Sequence, residues 1–163
     1  WYKEESRRIQ SFLPANQLYE MHHIGSTSIE GIWAKPIIDI LLEIPRGEDM
    51  GSIKRELLDH GYLLMSESES RMSFNKGYTL QGFAERIFHL HLRYHGDNDE
   101  LYFRDYLKDH SAVAKDYEQL KLILWKKYEY NRDAYTEAKT DFIRRYTQKA
   151  KKLYKRRYDD KIE

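Results

Sequence analysis

Along residues 37–44, Ile-Ile-Asp-Ile-Leu-Leu-Glu-Ile, the even positions Ile38, Ile40, Leu42 and Ile44 are all apolar. The odd positions interleave Ile37 and Leu41 with Asp39 and Glu43. A period of two marks a strand whose faces differ. The alternation is sharper at 88–95, where Phe88, Leu90, Leu92 and Tyr94 oppose His89, His91, Arg93 and His95. Arg71, Ser73 and Asn75 oppose Met72 and Phe74 in the same way. Residues 18–25, ended by Gly25, and residues 62–68 read as two more strands. The stretch holding Gly77 and Gly82 reads as a hairpin or a longer loop.

Helical spacing fills most of the rest. Residues 1–13 predict an amphipathic helix with Trp1, Ile9, Phe12 and Leu13 inward, stopped by Pro14. Ile53, Leu57 and Leu58 predict a helix over 48–61, with Gly61 as its stop. Between these, 26–36 is too rich in glycine and hydroxyls for a strand and reads as a loop with one helical turn. After Gly96 the character changes. Asp97 and Glu100 have capping-box spacing. Val113, Tyr117, Leu120, Leu124 and Tyr128 mark one long helix, and Tyr135, Ala138, Phe142, Tyr146, Ala150 and Leu153 another. The tail 149–163 reads as a fraying helix end. The pattern is a single α+β domain over 1–163, sheet-rich over 1–96 and helical over 97–163.

Composition narrows the chemistry. The chain has 163 residues, 40% of them hydrophobic, and no cysteine. Disulfides, cysteine zinc sites and thiol nucleophiles are excluded. No apolar run reaches the roughly 18 residues that span a bilayer, and no segment reads as a signal peptide. A cytoplasmic setting and no membrane partner are the expectation. The net charge of +1 conceals a balance of −6 over residues 1–120 and +7 over 121–163. A basic third attracts anions, but its charges are not concentrated as nucleic-acid binding requires. Nucleic acid is therefore not the expected partner.

If the strands share one sheet, its polar face collects Asp39, Glu43, Arg71, Ser73, Asn75, His89, His91 and Arg93. A solvated sheet face explains the alternation, but it does not explain histidines and arginines in place of Lys, Glu and Thr. A carboxylate inside an apolar run is costly without a partner. Asp39 is either a metal ligand or general base, or a structural acceptor for the preceding turn. His89 and His91 with Asp39 make a two-histidine, one-carboxylate set suited to a divalent ion; the alternatives are anion binding, proton transfer or a structural role. Gly25, Ser26, Thr27 and Ser28 form a small turn of the kind whose amides and hydroxyls meet a phosphate. Lys35 is a candidate phosphate contact. Arg104 is placed for a salt bridge with Asp105 or for clamping an anion. Lys121 and Lys139 lie at the edge of the buried helical stripes, which fits either a cleft cation or a snorkelling lysine.

The segments His23–Ile40, Phe88–Leu92, Leu101–Leu107, Tyr117–Leu124 and Tyr135–Ile143 together resemble the GrpB family. The resemblance implies a nucleotidyltransferase-like mixed β-sheet with a helical C-terminal part packed on it. Gly25 and Ser26 then correspond to the turn of that superfamily, and Asp39 to the first of two carboxylates one residue apart. The second position falls on Leu41. Glu43 shares the face but lies about 13 Å along the strand. The positions of Lys121 and Lys139 recur in the family and imply cleft-facing cations. The expected ligand is a nucleotide or phosphorylated small molecule. Gly25, Ser26, Thr27, Ser28, Lys35, Arg71, Arg93, Lys121 and Lys139 would bind it; Asp39, His89 and His91 would be catalytic or hold Mg²⁺, Mn²⁺ or Zn²⁺. Nucleotidyl or phosphoryl transfer is the implied reaction. A silent phosphometabolite-binding module and a His-x-His metal hydrolase are the competing readings.

Overall fold

The structure, a computed structural model, describes residues 1–15 and 17–159. The chain divides into two compact units, and each is taken in turn.

The first comprises residues 1–28 and 34–98, with 159 beyond them. It holds α1 (Tyr2–Phe12), β1 (Glu20–Ile24), a 3₁₀ turn (Ser26–Ser28), β2 (Ile37–Ile44), α2 (Met50–Asp59), β3 (Leu63–Glu67), β4 (Arg71–Thr79) and β5 (Gly82–Tyr94). The five strands form one sheet in the order β1-β2-β5-β4-β3. β2 and β5 run parallel, and the other pairs are antiparallel. Parallel neighbours need a crossover, and here α2, β3 and β4 lie between β2 and β5 in the chain. The alternating apolar positions set the register. Ile38, Ile40, Leu42 and Ile44 stand beside Phe88, Leu90, Leu92 and Tyr94. Met72 and Phe74 of β4 continue that face, and Ile9, Leu13, Met50, Ile53 and Leu57 of the α1 and α2 segments pack on it. A buried polar link crosses this core: Tyr62 Oη donates to Glu5 Oε1 at 2.6 Å, and Lys76 Nζ meets the same oxygen at 2.5 Å.

The Gly77–Gly82 stretch is a tight hairpin, closed by the Thr79–Gly82 pair. The register shifts between Lys76 and Tyr78, around Gly77 at φ +102°. A Cβ on Gly77 would collide with the Arg86 carbonyl, so this irregularity needs glycine.

The second unit comprises residues 29–33 and 99–158, with α3 (Asp99–Asp109), α4 (Ser111–Lys127) and α5 (Arg132–Tyr154). Ile29, Leu107, Ala114 and Tyr117 are its buried centre, with Phe103 and Phe142 packed around them. Lys115 Nζ holds the Gly31 carbonyl at 2.5 Å.

Several expectations change here. Trp1 and Leu153 do not face inward, being 42% and 56% exposed, because each stands at the end of its helix. Asp97 precedes α3, and its carboxylate takes a two-pronged ion pair from Arg71, at 2.7 and 2.6 Å. A bidentate guanidinium holds a carboxylate more strongly than a backbone amide does. In its described part the tail leaves the helix and folds back. α5 ends at Tyr154, Lys155 and Arg156 turn the chain at φ 31° and 53°, and Tyr158 docks on Tyr102 and Asp105. Burial alone would raise the Asp105 carboxyl, but hydrogen bonds from Tyr158 and Arg104, the Arg104 charge and Arg157 hold it below its ordinary value. Residues 160–163 of that tail lie outside the described residues.

Candidate functional site

The polar side of the sheet follows from the same register. Asp39 pairs with His89 across β2 and β5, Leu41 with His91, and Glu43 with Arg93. Asn75, Ser73 and Arg71 of β4 extend the row. Asp39 Oδ1 lies 3.6 Å from His89 Nδ1 and 3.5 Å from His91 Nε2. All three side chains are between 15% and 27% exposed, so the group is neither closed off in the core nor fully solvated.

The preceding turn fixes the carboxylate. Ile24 pairs with Asp39, and Gly25 follows at φ +73°. A Cβ on Gly25 would overlap Asp39 Oδ2. Thr27 Oγ1 donates to the Ile37 carbonyl at 3.1 Å and contacts His23 Nε2 at 2.9 Å. With its proton committed to Ile37, Thr27 accepts from His23, which assigns the Nε2–H tautomer. Ser28 Oγ donates to the Gly25 carbonyl at 2.5 Å. Both hydroxyls therefore shape the turn, whereas Ser26 is half-buried beside them.

Tyr78 is not singled out by the sequence. Its hydroxyl contacts His89 Nε2 at 3.0 Å, so His89 stands between a phenol and a carboxylate. Simple alternation from Met72 and Phe74 assigns Tyr78 to the apolar face. The irregularity at Gly77 re-aims it, and that glycine is the available signal.

The remaining candidates divide. Arg71 and Arg93 both face Asp97, Arg93 Nη1 at 3.5 Å, so an acidic neighbour already meets their charge. Lys35 is exposed on the segment leading into β2. Arg104 makes the salt bridge with Asp105, at 2.8 Å. Lys121 and Lys139 belong to the helical unit. Lys121 is not at the edge of its stripe but in the middle, 4% exposed among Ala114, Tyr117 and Leu124. Its Nζ donates to the Trp33 carbonyl at 3.0 Å and lies 5.1 Å from the Tyr117 ring centre. Burial, then repulsion from Lys139, lowers its pKa to about 8 against a weaker opposing pull from Glu118. Lys139 Nζ lies 4.4 Å over the Tyr135 ring.

Among the described residues, no helix is long and apolar enough to cross a membrane. The family model described as GrpB protein matches residues 1–149. The Glutamate-rich protein GrpB of Alkalihalophilus pseudofirmus is 33% identical over 146 residues, covering 86% of this chain and 83% of that protein. The UPF0157 protein YqkA of Bacillus subtilis is 32% identical over 96% of this chain, which spans only 45% of YqkA's length. The crystal structure of conserved protein GrpB from Enterococcus faecalis superposes with a TM-score of 0.79 at 30% identity, over 94% of this chain and 92% of that one. A structure of the GLD-2/RNP-8 complex matches at TM-score 0.56 and 13% identity, over 99% of this chain and 66% of that one, a likeness of fold alone. The fold is α+β with a nucleotidyltransferase-like mixed sheet. The chain belongs to the GrpB family.

Proposed function

We propose that the sheet unit binds a nucleotide or another phosphorylated small molecule around Asp39. The observation that carries this reading is the meeting of one carboxylate oxygen with two imidazoles on a half-sheltered polar face. Imidazole N–H groups donate to phosphate oxygens, and the same nitrogens ligate divalent ions. The Gly25 turn leaves the carboxylate accessible from the polar side, with Ser26 and backbone amides as phosphate contacts.

The residues present do not fit a two-ion centre. That chemistry needs two carboxylates on one strand face. Leu41 occupies the second position and is fully buried. Glu43 is turned away, accepting from Asn98 Nδ2 at 2.9 Å and from Gly96 N at 3.2 Å. Asp39, His89 and His91 carry donors of the kind that Zn²⁺ or Mn²⁺ takes, but one atom from each does not come within 4.8 Å of the others, so a single shared ion would need an imidazole to swing. Their oxygen-to-nitrogen separations of 3.6 and 3.5 Å are close to the roughly 3.3 Å between neighbouring ligands on bonds of about 2 Å. Such an ion would polarise a bound phosphoryl group. In the protein's own chemistry, Asp39 orients both imidazoles, and Tyr78 fixes the ring of His89. His91 is then the group placed to accept or give a proton. Nucleotidyl or phosphoryl transfer is the reaction class of this reading, by fold analogy. The buried Leu41 favours a second reading, a binding module without turnover.

Thermal shifts with nucleoside di- and triphosphates and with inorganic phosphate, each with and without Mg²⁺, Mn²⁺ or Zn²⁺, test this. Stabilisation that needs metal and nucleotide together, and is lost in Asp39→Asn, supports transfer. Nucleotide stabilisation without metal supports the binding module. A shift with metal alone, lost in His89→Ala, favours a hydrolase. No shift with any phosphorylated probe overturns the proposal.

A further inference from the structure

The polar face carries a second group of donors, outside the Asp39 cluster. Glu20 and His22 are two apart on β1 and share a face, and Glu43 is the register partner of Glu20 on β2. His22 Nε2 lies 3.5 Å from Glu20 Oε2 and 3.5 Å from Glu43 Oε2. One donor atom from each of the three residues can be chosen so that all lie within 4.8 Å of one another. We propose that Glu20, His22 and Glu43 form a binding site for one divalent transition ion, with Zn²⁺ the best match.

Three observations converge. The nitrogen-to-oxygen separations are near those of neighbouring ligands around tetrahedral zinc, roughly 3.3 Å on bonds of about 2 Å. One imidazole with two carboxylates is a donor set that zinc accepts. Second, Glu43 is 2% exposed and already oriented. Its Oε1 accepts from Asn98 Nδ2 and Gly96 N, while Oε2 is presented to His22. Outer hydrogen bonds that fix a ligating carboxylate are a regular part of metal sites. Third, two glutamates directly opposite on neighbouring antiparallel strands repel, and a cation between them removes that cost. Glu20 is mostly exposed, so an ion can enter from solvent, and water would complete the shell.

The competing account is a protonated His22 bridging two carboxylates with no ion. Full-length protein stripped with chelator and titrated with Zn²⁺ calorimetrically separates the two. The proposal expects a Zn²⁺ equivalent that weakens at least tenfold in both His22→Ala and Glu20→Gln and that Asp39→Asn leaves in place, separate from any equivalent taken up by the Asp39 group. Glu20→Gln alters an exposed side chain and keeps the fold, so a loss there is not unfolding. Co²⁺ in place of Zn²⁺ should give a tetrahedral visible spectrum that His22→Ala abolishes. Zn²⁺ binding unchanged in both variants, or absent from the wild type, overturns the site. So does binding lost only in Asp39→Asn, which would assign the ion to the Asp39 group instead.

Discussion

Gly25 lies directly against the carboxylate of Asp39, so closely that a side-chain carbon on Gly25 would overlap Oδ2. The glycine is needed twice over, because its φ of +73° also belongs to the left-handed region. Gly25→Ala should cost at least about 1–2 kcal/mol from the backbone alone. It should also push Asp39 off His89 and His91. Urea unfolding reads the first effect, and loss of the nucleotide-dependent thermal shift reads the second. An unaltered midpoint would show that the close approach carries no constraint.

Leu41 fills the place of a second carboxylate and is fully buried. Leu41→Asp should destabilise the protein by several kcal/mol in chelator, on the order of the cost of an unpaired buried charge. Mg²⁺ or Mn²⁺ should restore part of that loss by joining the introduced carboxylate to Asp39. Denaturant midpoints with and without the ion check this. Equal destabilisation in both conditions would argue that the two positions cannot share a cation.

Glu5, 6% exposed, is held by Tyr62 and Lys76. Burial and the bond to Glu5 push the Tyr62 phenol far above its ordinary value. Glu5→Ala leaves an ammonium and a phenol without their shared acceptor and should cost about 3 kcal/mol or more. Tyr62→Phe removes one donor and should cost about 1 kcal/mol. If Tyr62→Phe proves the more damaging, the ion pair is not the main element of this link.

Lys121 gives a pH signature. Its pKa is lowered from 10.5 to about 8 in the folded chain. Between those values the unfolded chain holds more protons, so stability rises with pH across the window. The gain over Lys121→Met from pH 7 to pH 10.5 should be on the order of 3 kcal/mol at most. Denaturant midpoints of both proteins across that range measure it. Parallel curves would mean that the ammonium is well solvated.

Much of the sheet is legible because its strands alternate cleanly. Phe88 to His95 states its two faces outright, and that parity puts His89 and His91 on one side, where Asp39 joins them through the parallel β2–β5 register. What escapes depends on partners that alternation does not encode. Tyr78 is hidden by the irregularity at Gly77, which breaks the parity rule locally. Glu20 and His22 share a face by spacing, but their meeting with Glu43 depends on the antiparallel β1–β2 register. Asp97 has capping spacing, yet a distant arginine claims it. Lys121 reads as a stripe-edge residue because lysine is charged, although its methylene stem and the Trp33 carbonyl let it occupy the centre. The helix of the tail is visible; the return of Tyr158 onto Asp105 is not, since nothing local announces it.

β2 is hydrogen-bonded on both flanks, to β1 on one side and β5 on the other. Amide protons at the middle of such a strand exchange only when the sheet opens as a whole. Asp39 is thus anchored to the part of this unit expected to be slowest to deuterate, so on warming its carboxylate should hold position until cooperative melting, and any adjustment to a visiting ligand must come from loops and side chains around it.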